Sequence, residues 1–231
     1  MNLTNTNRYA RTLVRGSVYA LVALWLVWIW GPILWDLFTG VSVNPQTDPP
    51  TLIPQQFTLE HYMTVVQEED ILIYIRNSTV VTTVSTALSV LVGALAAYSL
   101  TRYDPGDGQI SFFTLSMRFL PPIAVAIPIY TMFIGLEWIN TWQALIVAYL
   151  TIGIPISTWI MLIFFQKIPE ELEEASRVDG WSRMQTWRRV VLPLATPGIS
   201  SAAILTAILM WNEYVLALVL TTTKEAQTVP I

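Results

Sequence analysis

Five apolar runs of membrane-spanning length limit what this chain can fold into. They cover residues 17–38, 78–100, 109–134, 142–165 and 197–220. A run of about 20 apolar residues crosses a hydrocarbon core as a helix, because each backbone polar group must be satisfied within the segment. Charged residues make up 12% of the 231 and hydrophobic residues 54%, against about a quarter charged in a soluble domain. The fold class that follows is an all-α, polytopic membrane helical bundle. Ten tryptophans suit the aromatic belts at the membrane interfaces. The chain has no cysteine and one histidine, His61. That excludes disulfides, thiolate chemistry and any metal site built from several histidines. A net charge of −4 gives no ground for nucleic-acid binding.

Lysine and arginine set the orientation. Nine lie on one side: Arg8, Arg11 and Arg15 before the first run, Arg102 after the second, and Lys167, Arg177, Arg183, Arg188 and Arg189 after the fourth. The other side carries Arg76 and Lys224. The basic side is expected to be cytoplasmic, with residues 1–16 as a cytoplasmic tail. The first run has the basic flank of a secretory signal, but it exceeds the usual ~7–15 residues and is followed by Trp35 and Asp36 instead of a small-x-small site. It reads as a retained helix. Residues 39–77 are polar and hold Pro45, Pro49, Pro50 and Pro54. Phe57-Thr58-Leu59-Glu60 reads either as the start of a short surface helix capped by Thr58 or as plain loop. Five spans leave the chain ending outside, just after the polar stretch 221–228. Truncation before a sixth span is expected, the alternative being a genuine five-span protein.

The most informative polar segment is 168–194. Pro169 suits the first position of a helix, and Glu170, Glu171, Glu173 and Glu174 follow where the helix dipole favours negative charge. Leu172, Ala175 and Ser176 fall at i, i+3, i+4 and predict one small face open to close approach. Asp179-Gly180 is a turn signal, because glycine accepts positive φ at a helix C-terminus. A second helix is predicted from about Trp181, with Met184, Trp187, Val191 and Leu194 as its apolar stripe. Pro193 and Pro197 should break it before the fifth run. The result is an αα-hairpin, which either docks a partner or merely joins two spans.

The spaced set Glu174-Ala175-Ser176, Gly180, Val190 and Leu192-Pro193 resembles the E-A-A-x3-G-x9-I-x-L-P signature of ABC-importer permeases, the inner-membrane components of binding-protein-dependent transport systems. Ser176 stands in place of the second alanine and Val190 in place of isoleucine. The resemblance implies that 17–231 is one transmembrane permease domain and that 168–194 is the coupling hairpin. It places Glu173, Glu174, Ala175, Ser176, Arg177, Asp179, Gly180, Leu192 and Pro193 at the junction with an ATPase, with Glu174 toward a basic group there. The tract Arg118-Phe119-Leu120-Pro121-Pro122 with Pro128, the tract Trp211-Asn212-Glu213-Tyr214, and Asn77-Ser78 and Ala97-Tyr98-Ser99-Leu100 are similar to the maltose-type, carbohydrate branch. That branch has six core spans. The implied partners are a second permease subunit, two ATP-binding subunits and an extracytoplasmic solute-binding protein, with a carbohydrate as substrate in a multi-pass cell-membrane protein.

The chain carries no engine of its own. A phosphate-binding loop needs G-x4-G-K-[ST], and Lys167 follows Gln166 while Lys224 follows Thr223. ATP and Mg therefore belong to a partner, this chain binds no cofactor, and it is not an enzyme. Within the membrane, Arg118 lies roughly 13 Å into the third run and must face protein or water. It is a candidate path residue, or else part of a structural pair with Glu213. Pro121, Pro122 and Pro128, with Pro155 and Gly153 in the fourth run, should interrupt their spans and line a path, or simply kink. Asn212 and Glu213 should face the bundle interior. A self-contained secondary transporter or channel, an importer for a non-sugar solute, and a membrane-anchored assembly protein are the alternatives.

Overall fold

The computed structural model describes residues 3–43, 56–67, 70–103, 106 and 108–231, with backbone alone for residues 3–13 and Arg118. The chain divides into two compact units, Met1–Asp70 and Ile71–Ile231. In the first, α1 (Leu3–Gly40) is a single helix that continues through the residues expected as a tail. No proline precedes Pro32, and the helix also accommodates that one. Its apolar part, Val14–Gly40, has mean hydropathy 1.9. The short helix read from the sequence is α2 (Glu60–Gln67). Thr58 Oγ1 accepts the Glu60 N–H at 3.0 Å, and His61 Nε2 donates to the Ser42 carbonyl at 3.0 Å.

The second unit contains α3 (Ile71–Tyr103), α4 (Gln109–Ser116), α5 (Pro122–Gly135) and α6 (Trp142–Phe165). Next come α7 (Glu171–Val178), α8 (Arg183–Thr186), α9 (Leu192–Leu194), α10 (Thr196–Trp211) and α11 (Val215–Leu220). The described residues form no strand, only an isolated bridge between Ser42 and Phe57. Of the five expected runs, the third and the fifth are divided. By length and composition α1, α3 and α6 can each cross a membrane, and a fourth crossing would be the pair Arg183–Leu194 and Thr196–Trp211, bent by 70°.

The third run is divided because Pro121 and Pro122 act together. Each proline pushes the residue before it out of the helical region, and Leu120 and Pro121 are extended between a 3-10 turn (Met117–Phe119) and α5. The isolated prolines behave otherwise. Pro128 lies inside α5 and Pro155 inside an unbroken α6, against the expected interruptions. The fifth run is interrupted at a place the sequence reading did not foresee. Helix α10 ends at Trp211, and α11 restarts after Tyr214.

Helix α3 packs along α6 more extensively than any other pair, and small residues permit it. A Cβ at Gly93 would sit 2.6 Å from Ser157 Cβ and 2.9 Å from the Thr158 backbone nitrogen. A Cβ at Gly153 would collide with Ser89 Oγ and Met210 Cε. Helix α10 joins through Ser157 Oγ and Thr206 Oγ1, 3.1 Å apart. Two apolar clusters result. One gathers Ala97, Leu100, Phe165, Val191 and Ala195 beside the hairpin. The other gathers Val81, Phe133, Leu145, Tyr149 and Leu216 toward the opposite end.

At that opposite end, three side chains strap down the terminal polar segment 221–231. Asn77, fully buried, donates to the carbonyls of Gln227 at 2.8 Å and Lys224 at 3.1 Å. Ser78 Oγ accepts the Val229 N–H at 2.8 Å. Asn140, at φ 62°, accepts from the backbone of Thr222 and Thr223. Asn77-Ser78 thus has a structural task that its sequence position alone did not reveal.

Replacing Gly93 by valine should lower stability by about 1–3 kcal/mol through overpacking, because the atoms it meets in α6, Ser157 Cβ and the Thr158 backbone nitrogen, cannot swing aside. A lower thermal unfolding midpoint of the detergent-solubilised protein would register this.

Candidate functional site

The hairpin is built from two capped arms. Helix α7 begins at Glu170, whose carbonyl accepts the N–H groups of Glu173 at 2.9 Å and Glu174 at 3.0 Å. Three carboxylates, Glu171, Glu173 and Glu174, occupy its first turn, favourable for the helix dipole. The arm ends in a Schellman motif. The Gly180 N–H reaches the Arg177 carbonyl at 3.0 Å and the Trp181 N–H the Ser176 carbonyl at 3.1 Å. Gly180 has φ 86° with nothing within 4 Å of where a Cβ would stand, so glycine is needed there for its conformation, not its size. The second arm opens with a capping box. Ser182 Oγ accepts the Gln185 N–H at 3.4 Å, and Gln185 Oε1 accepts the Ser182 N–H at 2.9 Å.

The predicted apolar stripe of that arm is corrected by the backbone. Met184 and Leu194 are 56% and 51% exposed, while Val191 is fully buried. A π-helical turn over Trp187–Val191 widens the helix, so a stripe drawn at 3.6 residues per turn drifts off the buried face. Inward positions are instead Thr186, Val191, Ala195, Gly198 and Ala202. The break expected before the fifth run falls at Ala195, as a 70° bend between 183–194 and 196–211, and of Pro193 and Pro197 only the second follows it. Both prolines occupy the opening turns of their helices, α9 and α10, where a missing N–H is harmless.

The two buried polar residues of α7 hold the hairpin in place. Glu173 Oε2 accepts from Tyr98 Oη at 2.6 Å, and Oε1 accepts from Arg102 Nε at 2.7 Å. Arg102 Nη2 also donates to the Ile168 carbonyl at 2.8 Å, and Nη1 lies 3.6 Å from Glu170 Oε1. The side chains of Arg102 and Glu173 are 8% and 10% exposed, and charges so far out of water persist only when paired. Ser176 Oγ donates to the Glu173 carbonyl at 2.8 Å and lies 2.7 Å from Thr186 Oγ1. Its proton is thereby committed, so Thr186 supplies the hydrogen that links the two arms. Tyr98, Arg102, Glu173, Arg177, Arg183 and Thr186 line a cavity of about 150 Å³ at this junction.

These contacts divide the predicted junction residues into two faces. Glu173 and Ser176 point into the bundle, although the sequence reading grouped them with the partner-facing set. At about 100° per residue the direction midway between them lies roughly 130° around α7 from Glu174. Leu172, Glu174, Ala175, Arg177, Asp179 and Gly180 are exposed, as is Pro193, with Leu192 half-buried. The single small face expected from Leu172, Ala175 and Ser176 is therefore split. Sequence reasoning missed Tyr98 and Arg102 as the other half of the site. Their i, i+4 spacing at the end of α3 was the available signal.

The predicted path residues are only partly brought together. Pro122 and Glu213 line one cavity of about 630 Å³, together with Leu120, Thr151, Pro155 and Thr158. Pro121, Pro128 and Asn212 are exposed outside it. Asn212 does not face the bundle interior. Its amide donates to the Ile208 carbonyl of its own helix at 2.7 Å. Glu213 is occupied in capping α11, accepting the Leu216 N–H at 3.0 Å, while its carbonyl accepts from Tyr149 Oη at 3.2 Å. The Arg118 backbone lies in the 3-10 turn. Its side chain, and so the expected pairing with Glu213, lies outside the described residues.

Residues 89–230 match the family model of the binding-protein-dependent transport system inner membrane component. That range takes in the hairpin, Tyr98, Arg102 and the divided runs. The chain belongs to this family. It is accordingly a multi-pass membrane component of a transport system and not an enzyme. It is 32% identical over 203 residues to the trehalose/maltose transport system permease protein MalG of Thermococcus litoralis, covering 87% of this chain and 73% of that one. Identity to the trehalose transport system permease protein SugB of Mycobacterium tuberculosis is also 32%, over 201 residues, covering 87% and 73%. A solved bacterial ABC transporter involved in alginate import shares the fold, with a TM-score of 0.77 at 22% identity, covering 100% of this chain and 80% of that one.

Ser176→Ala should cost about 1–2 kcal/mol, because it leaves the buried Thr186 hydroxyl unpaired. Gly180→Ala should cost about 1–2 kcal/mol by forcing an L-residue into left-handed backbone. Thermal unfolding and proteolysis within 171–194 would register both losses.

Proposed function

We propose that this permease forms half of the translocation path of an ATP-driven carbohydrate importer. The hairpin 168–194 serves as its joint to a separate ATPase. The observation that carries the reading is the division of α7 into two faces. One is anchored in the bundle by Glu173 and Ser176, and the other, with Glu174 and Ala175, is exposed. An exposed small residue beside a carboxylate suits a groove lined by a basic group. The permease relatives named for trehalose and maltose support a sugar as substrate.

In this reading the chain supplies five crossings of the family's six-span plan. The divided runs 109–134 and 197–220 each count as one crossing. The N-terminus is cytoplasmic, as the arginine and lysine census supports. The partners are a second permease subunit, two ATP-binding subunits that hold ATP and Mg, and an extracytoplasmic binding protein that delivers the sugar. Pro122 and Glu213, on the larger cavity, are the path residues of this chain, with Arg118 beside the same break.

Reconstitution with ATPase subunits, a second permease and a sugar-binding protein should give ATP hydrolysis stimulated by the loaded binding protein. Gly180→Trp should abolish that stimulation while leaving membrane insertion intact. Sugar uptake that proceeds with no ATPase present would sink the proposal.

A further inference from the structure

We propose that Arg102, supported by Tyr98, is the positioning residue that makes α3 move with the hairpin, and that its contact with Glu173 persists through the transport cycle as a strut. The inference rests on the coupling role given above to 168–194. The chain itself leads from the hairpin only into α6, through residues 166–170, and into α10, through the π-helical turn and the 70° bend. Helix α3 has no such covalent route. Glu173 lies 75 residues from Tyr98 and 71 from Arg102 in sequence. Yet α3 packs most extensively on α6 and carries the Gly93 contact, so a hairpin that moved without it would shear the main packing surface of the bundle.

Two kinds of contact join α3 to the hairpin. The apolar one, with Ala97 and Leu100 in the same cluster as Val191 and Ala195, is non-directional and tolerates sliding. The polar one is directional: at its exposed edge Arg183 Nη1 of the second arm donates to Tyr103 Oη at 3.2 Å, and at its buried centre stands Arg102. The Arg102 guanidinium meets three points on the first arm: the Glu173 carboxylate, the Ile168 carbonyl and, more loosely, the Glu170 carboxylate. A planar fork held at several points fixes direction as well as distance. Tyr98 takes the second Glu173 oxygen, so the carboxylate cannot rotate away. Tyr98 also packs edge-on against Phe165 at the end of α6, with ring centroids 5.8 Å apart. The ends of α3 and α6 and the start of α7 are thereby fixed to one another.

Lysine at this position keeps the charge but not the fork, which separates positioning from simple charge pairing. In the complete reconstituted complex, Arg102→Lys should assemble at the wild-type level and keep basal ATP hydrolysis. Uptake per ATP hydrolysed should fall roughly tenfold, with Tyr98→Phe showing a smaller fall in the same ratio. Wild-type coupling in Arg102→Lys overturns the proposal. A second test exploits the absence of native cysteine. The pair Arg102→Cys and Glu173→Cys should couple poorly when free and recover uptake when joined by a short bifunctional thiol reagent. Uptake that stays at the unlinked level, or falls, on joining also overturns it. A wild-type complex without ATP-driven uptake would instead count against the coupling reading itself, so the two failures are distinguishable.

Discussion

Lipid gives two apolar helices little reason to meet, so helices in a bilayer associate through close packing. In this chain that packing is the approach of α3 to α6 at Gly93 and Gly153. Helices α10 and α11 pack against it in turn. Helix α10 is fastened by a hydroxyl pair between Ser157 and Thr206, and Met210 fills the space that the missing side chain of Gly153 leaves. The two apolar clusters extend from this seam toward opposite ends. At one end the seam supports the hairpin, at the other the strapped polar segment.

The hairpin shows how a short amphipathic helix can serve two masters. Its motif residues are adjacent in sequence but differ in direction. Glu173 and Ser176 are committed to the protein's own bundle, and Glu174 and Ala175 are left for something else. The hydroxyl of Ser176, where the resembled signature has alanine, ties the two arms together through Thr186. A substitution conservative in size therefore adds a bond that alanine could not make.

Much of this organisation was legible in the sequence. The bounds of the run 142–165 coincide with α6, the Thr58 cap with the start of α2, and the Gly180 turn with a left-handed backbone. What was not legible depended on relations between distant or neighbouring residues. A lone proline and a proline pair look alike as breakers, but only Pro121-Pro122 divides a run, while Pro128 and Pro155 are absorbed. The π-helical turn at Trp187–Val191 has no periodic signature, so the stripe drawn through Met184 and Leu194 missed. Glu173 could not be assigned a direction without its partners, which lie more than seventy residues away. The interruption at 212–214 was hidden because Asn212 and Glu213 satisfy local backbone groups, a role invisible in an otherwise apolar run.

The strap on residues 221–231 has one more consequence. Asn77, Ser78 and Asn140 hold backbone groups of Thr222, Thr223, Lys224, Gln227 and Val229 in fixed places. A polar segment of this kind would otherwise sample many conformations and lose that freedom on contact with another molecule. Here the ordering is completed during folding, by two neighbouring side chains of α3 and a left-handed asparagine. The segment is a shaped surface instead of a loose thread, and a molecule that met this face would have little chain entropy left to remove.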